Sequence, residues 1–324
     1  MPSLPSMKNP FAKAEEKLPG ERVAVITDQS LEPADPALAA KPIALPPAVA
    51  NAAWSDPGGA PSNSLGHLAM GERVNKSWRV DIGTGSSSSG RLSTVPIVAD
   101  GKVFTLDAGG TVSAFSASGG SRVWSTSVTP KNEKRAEGFG GGLAVDSGRL
   151  YVTTGYGTVV GIDPGKGSVL WTQKIGEPVR SSPTAAGGKV YFVSTDSVLH
   201  CLDGNDGQEL WIAKGVPEPA ILLYNVRPAV GQGVVVAAFP AGDIAAYQVG
   251  SGQPAWRDTL SRTSETTAAG ILADPARPVI DRGVVFVVGH GGRMIAVSES
   301  SGERLWTRNV TSTQMPWSAG DAGF

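Results

Sequence analysis

Short apolar runs rich in valine, isoleucine and aromatic residues alternate with clusters of Gly, Asp, Asn and Ser through most of this chain. Lys102-Val103-Phe104-Thr105-Leu106 is followed by Ala108-Gly109-Gly110, and then by Thr111-Val112-Ser113-Ala114-Phe115. Such runs bounded by turn residues predict strands joined by hairpins. No long segment carries the 3.6-residue period of an amphipathic helix, so little helix is expected.

The alternation repeats at a longer interval. Tryptophan stands at Trp78, Trp124, Trp171, Trp211, Trp256 and Trp306, and subtracting neighbours gives steps of 46, 47, 40, 45 and 50 residues. Other columns travel with it. Four residues before each of the last five Trp lies Gly120, Gly167, Gly207, Gly252 or Gly302. Nine before lies an apolar residue: Phe115, Ile162, Leu202, Tyr247 or Val297. Ten before lies a small one: Ala114, Gly161, Cys201, Ala246 or Ala296. Further upstream a strand opens at Pro96, Pro183, Pro228 or Pro278, with Leu143 in the second repeat. Five residues after each opener comes Gly101, Gly148, Gly188, Gly233 or Gly283. Proline at the first residue of a strand removes no ladder bond.

One unit thus holds about four strands, the content of a propeller blade. The predicted fold is an all-β β-propeller of four-stranded blades, with about six blades present. Five full repeats run from about Ser93 to Val310, with partial ones at both ends. The glycine before each Trp suits a turn of positive φ. The small column suggests close approach of neighbouring sheets. Each Trp is expected to pack between blades, where burying roughly 150–250 Å² of indole contributes at most about 4–6 kcal/mol gross.

Residues 1–50, rich in Pro and Ala, read as an extended arm, and residues 51–324 as the propeller. Trp54 to Trp78 looks like an incomplete first blade. Gly83–Ser93 reads as a flexible loop, and it lacks the Gly-Lys-Ser/Thr end of a phosphate loop. Gln314 to Asp321 opens like a further repeat.

Composition narrows the chemistry. Lys and Arg number 28 against 29 acidic residues, a net charge of −1 with no basic run, which argues against nucleic acid. The single Cys201 admits no intrachain disulfide and reads as a buried filler of the small column. His67, His200 and His290 are scattered without ligand spacing, and no hydrolase or metalloprotease motif occurs. No catalytic residue, cofactor or metal is therefore expected. No run of 18 apolar residues spans a membrane, and the first residues carry no apolar core of a signal peptide.

The repeat form, an apolar-small core followed by Gly-x-x-aliphatic-Trp, resembles the pyrroloquinoline-quinone-type propeller repeat. Asn9-Pro10-Phe11, Leu18-Pro19-Gly20-Glu21-Arg22-Val23, the GSSSSGRLSTVPIVADGKVF stretch, PVRSSPTAAGGKVYF, ARPVIDRGVVFVVGHGGRMIAV and TQMPWSAGD are similar to the outer-membrane protein assembly factor (BamB) family in its alphaproteobacterial form. The resemblance covers residues 8–324. It implies an eight-bladed propeller held by a lipid anchor at the periplasmic face of the outer membrane. It also implies a non-enzymatic scaffold that binds the periplasmic domains of BamA, with unfolded outer-membrane proteins as possible clients. Against that pattern this chain has no lipobox cysteine, and its repeats leave the ring incomplete. The residues that match the family's partner-binding loops are Val179 and Arg180, ahead of Ser181-Ser182-Pro183, and Asp274 in a second loop. Two other readings share the repeat. One is a generic periplasmic ligand- or peptide-binding propeller, a sensor or adhesion module. The other is a quinone-dependent dehydrogenase, which would need metal-binding carboxylates, a catalytic Asp and blade extensions that dock tryptophans.

Overall fold

The computed structural model describes residues 41–87, 90–134, 138–216, 226–260, 276–290 and 292–323. Contacts divide the chain into two units, Met1–Pro42 and Ile43–Phe324.

The described residues of the second unit form antiparallel sheets and no helix. Blade one is Ile97–Ala99, Lys102–Leu106, Thr111–Ser116 and Arg122–Ser127. Blade two is Gly141–Asp146, Arg149–Thr154, Thr158–Ile162 and Val169–Lys174. Blade three is Thr184–Ala186, Lys189–Val193, Val198–Asp203 and Glu209–Lys214. Blade four is Ala229–Val230, Val234–Ala238, Asp243–Gln248 and Pro254–Thr259. Blade five is Val279–Asp281, Val284–Val288, Met294–Ser298 and Arg304–Arg308. A hairpin, Ser318–Ala319 with Ala322–Gly323, follows. Within each blade the strands lie in chain order. The first strands of consecutive blades touch one another, which makes them the inner strands. The all-β propeller expectation holds. It resolves into five complete blades and the first hairpin of another among the described residues.

The apolar cores lie between blades, not within them. Ile97, Phe104, Val112 and Trp124 of blade one meet Leu143, Leu150, Val152 and Val160 of blade two in a single cluster. Tyr191 and Cys201 of blade three likewise meet Val235, Ala237 and Tyr247 of blade four. A sheet with one apolar face per neighbour buries both faces only by stacking, so each blade is stabilised by the next.

Tryptophan is the joint of every seam. The glycine turns have φ of 71°, 74°, 77°, 69° and 73° at Gly120, Gly167, Gly207, Gly252 and Gly302. A β-carbon added to any of them would fall 2.5–2.7 Å from the preceding Trp: Trp78, Trp124, Trp171, Trp211 and Trp256 in that order. The indole N–H of each Trp then donates to the carbonyl three residues before the glycine it covers. The acceptors are Ala117, Pro164, Gly204, Val249 and Glu299, at 2.9, 3.0, 3.1, 3.2 and 2.7 Å. Blade-to-blade docking of tryptophan is therefore built from the repeat turn itself, with no added extension.

Two expectations change. The small column is not set by sheet-on-sheet approach. Ala114, Gly161, Cys201, Ala246 and Ala296 are each the cross-strand partner of their own blade's Trp. A β-carbon at Gly161 would lie 2.3 Å from the Trp171 ring, so the column is small to leave room for the indole. A bulge follows in every blade, between the small residue and the next. Residues Trp54 to Trp78 do not form a blade either. Apart from isolated bridges of Trp54 with Val98 and Leu68 with Val49 they contain no strand pairing, although Trp78 docks on blade one as a blade tryptophan does.

Candidate functional site

Residues 54–66 run past the inner strands of the blades in chain order. Trp54 exchanges two hydrogen bonds with Val98 of blade one, at 2.7 and 2.8 Å. Val145 of blade two donates to Ser55 O at 2.8 Å. The Ala185 amide of blade three donates to Asp56 Oδ1 at 3.4 Å. Val230 of blade four donates to Pro61 O and Ile280 of blade five to Ser62 O, both at 2.8 Å. Ser64 Oγ lies 3.1 Å from Ser318 Oγ of the last hairpin. The five donors share one repeat position, two residues after the strand opener. The blades of a propeller are arranged around a central channel. In this chain its own polypeptide lines the inner strands there.

An ion pair anchors that segment. Arg227 Nη1 sits 2.8 Å from Asp56 Oδ1, with both side chains 0% exposed. Arg227 Nε donates to Asn63 Oδ1 at 2.7 Å and Nη2 to Ala60 O at 2.6 Å. Asn63 Nδ2 donates to Pro278 O at 2.8 Å. Burial raises the Asp56 carboxyl, opposed by the Arg227 charge and the Ser55 hydroxyl. Burial also lowers Arg277, to about 10, with the nearby Arg227 adding to the effect. Asp56, Asn63 and Arg227 were not anticipated. A signal existed in the recurrence of Arg-Pro at Arg227-Pro228 and Arg277-Pro278, immediately before the inner strand.

The Val179–Arg180 pair divides. Val179 is fully buried, packed with Ala144, Tyr151 and Ala185, so its side chain holds the loop down. Arg180 reaches over Phe139, with its guanidinium carbon 4.5 Å from the ring centroid. Thr153 Oγ1 donates to Ser181 O at 2.7 Å and Ser181 Oγ to Val193 O at 2.9 Å, fixing the loop behind it. Among the described residues no carboxylate pairs with Arg180. A half-buried guanidinium on an aromatic ring is held in place yet keeps donors for a planar anion. Asp274 lies outside the described residues.

One cluster has the order of a hydrolase relay. Ser194 Oγ lies 3.1 Å from His200 Nε2, and His200 Nδ1 lies 2.9 Å from Glu209 Oε2. Its exposure runs the wrong way for catalysis. The serine is 4% exposed and bonds Asp196 Oδ1 at 2.5 Å and Val198 O at 3.1 Å, while the Glu209 side chain is 43% exposed. The cluster braces the blade-three hairpin. Cys201 is buried opposite Trp211, and burial pushes its thiol up to about 12, the state of an inert filler. Among the described residues no group of His, Cys, Asp and Glu could hold a metal.

A family model described as outer membrane protein assembly factor BamB matches residues 75–135 and 108–324. The chain belongs to the BamB family. Curated relatives include BamB of Nitrosomonas eutropha, 25% identical over 62% of this chain and 46% of that protein. BamB of Yersinia pestis is 26% identical over 53% of this chain and 45% of that one. The chain thus spans about half the length of the curated relatives it matches. Among solved structures, BamB from Moraxella catarrhalis aligns with a TM-score of 0.63 at 18% identity, covering 72% of this chain and 69% of that one. A quinohemoprotein alcohol dehydrogenase from Comamonas testosteroni aligns at 0.61 and 14%, covering 82% and 50%. At these identities the structural likeness speaks for the blade architecture alone.

One seam of this BamB-family chain differs from the rest. Trp306 tilts on Phe286 of its own blade at 6.0 Å, as Trp124 does on Phe104 at 5.9 Å. Its outer side opens into a groove of about 640 Å³ lined by Phe286, Met294, Trp306, Met315 and Trp317.

Proposed function

We propose that this chain supplies the propeller of a non-enzymatic scaffold in the β-barrel assembly machinery. It acts at the periplasmic face of the outer membrane and docks on the periplasmic domains of BamA. Membership of the BamB family supports the coarse role. The observation that carries the docking face is Arg180, held over Phe139 with no carboxylate partner among the described residues. A bidentate contact to a partner carboxylate fits that guanidinium. Asp274 is the second proposed contact, and Val179 contributes by fixing the loop.

The axial segment supports the non-enzymatic reading. Along the inner strands the polar side chains Asp56, Asn63 and Arg227 are already committed to one another. The outer strands support a role toward unfolded clients. Val123, Leu170, Leu210 and Leu305, each just before a blade Trp, are 43–50% exposed on edge strands that an extended chain can extend.

Co-purification with tagged BamA tests the docking face. Arg180→Ala is expected to reduce recovered BamA about tenfold or more while costing only about 0.5–1 kcal/mol of stability, the worth of its stacking on Phe139. Full recovery with Arg180→Ala and Arg180→Glu would remove this face from the proposal.

A further inference from the structure

The polypeptide along the inner strands has the contact pattern of a bound ligand. Five successive blades each engage it through the same repeat position, at Val98, Val145, Ala185, Val230 and Ile280. A chain that merely crossed the blades on its way to the next element would not meet one amide per blade in register. The segment is also folded tightly on itself and against the ion pair. A β-carbon at Gly58 would lie 2.0 Å from Asn63 Oδ1 of the same segment and 3.1 Å from Arg227 Nη2. Gly59 has φ of 85°, and a β-carbon there would lie 2.2 Å from Leu65. The Asp56–Arg227 pair is fully buried, and such a pair selects the matching partner more than it adds stability, because a mismatch leaves one charge unpaired out of water. The connection that follows is loose by contrast: residues 70–77 are exposed, with Met70 at 81% and Val74 at 79%.

We infer that the inner face of this propeller is a binding site for turn-forming polypeptide, with residues 54–66 as its resident ligand. The ligand is recognised by the one-amide-per-blade ladder and by an Asp that pairs with Arg227, with Asn seven residues later. The site holds the segment by recognition rather than by covalent connection to blade one. The chemical class it accepts is a peptide folded through an Asp-Pro-Gly-Gly turn.

A sequence-specific protease site inserted in the full chain between Glu72 and Lys76 tests this. After cleavage the N-terminal fragment is expected to co-elute with the blades in gel filtration at micromolar concentration. Release of the fragment on cleavage would overturn the proposal, whether or not the blades stay folded. The cut complex is then challenged with a labelled synthetic peptide of residues 51–68. The peptide is expected to exchange into the blades, and failure to exchange at any excess would count against a recognition site. A peptide carrying Asp56→Asn is expected to compete at least about 100-fold less well, the loss that follows from removing one partner of a buried pair. Because the change sits in the peptide, the folding of the blades is not at issue. Equal competition by the two peptides would refute the Asp56 anchor.

Discussion

Trp256 and Trp306 occupy the same repeat position and meet opposite surroundings. Trp256 is 7% exposed, its ring lies on the Gly302 turn, and its N–H is bonded to Glu299 O at 2.7 Å. Arg304 of the next blade reaches back to Asp258, two residues after Trp256, with Nε at 3.0 Å. Trp306 keeps the contact with its own blade, through Phe286, but its outer side faces a groove. The intrinsic part of the repeat is thus the seat of Trp on its own blade, a tilted aromatic pair in four of the five blades and a cluster with Val236 and Ala246 for Trp256. The indole hydrogen bond and the glycine contact belong to the seam, and they exist only where a second blade supplies them.

The largest effect that separates the two regions is truncation of the indoles. Trp256→Ala is expected to destabilise by about 3–5 kcal/mol, the range for a large aromatic removed from a packed core. Trp306→Ala should cost less than half of that. Urea midpoints at constant slope measure both, and equal losses would mean that the groove is not an open seam. Next comes the turn beneath Trp256. Gly302→Ala combines a left-handed backbone cost of about 1–2 kcal/mol with overpacking of about 1–3 kcal/mol, because the new methyl would meet Trp256 at 2.5 Å. Gly283→Ala shares the positive φ, at 76°, but meets nothing within 4 Å. It should show the backbone part alone, about 1–2 kcal/mol. The difference between the two substitutions isolates the seam contact.

The partly exposed ion pair across the same seam should matter least. Arg304→Met removes the contact to Asp258, and the Arg304 side chain is 33% exposed, so a loss of at most about 1 kcal/mol that shrinks with salt is expected. A separate check reads the core opposite the indoles. Cys201 should resist alkylation in the native chain at pH 8 and react only after denaturation. Its thiol is buried and pushed up to about 12, so the thiolate is scarce in the folded state.

Much of the fold was legible because the features that define a blade are local. The Gly four residues before the Trp of each complete blade and the turn residues after each strand opener are short-range demands of backbone geometry, and they recur at nearly constant spacing. The reason for the small column was not legible. Spacing marks Gly161 and Cys201 as constrained but does not say that the constraint is an indole on the neighbouring strand. The site was less legible still. Val179 and Arg180 are adjacent, and only packing sends one into the core and leaves the other over Phe139. Residues 54–66 carry no periodicity, so nothing in them marked a course along the inner strands.

What the chain determined alone is the unit: four short strands, a left-handed glycine and a tryptophan, each set by contacts within a few residues. What tertiary structure decided is which partner each unit meets. Asn63 and Arg227 bond although 164 residues separate them. Such a contact has no local signature, because it depends on stacked blades bringing their inner strands around one common segment. The blade is written in short-range sterics. The seam and the axial anchor arise from the order in which the blades stack.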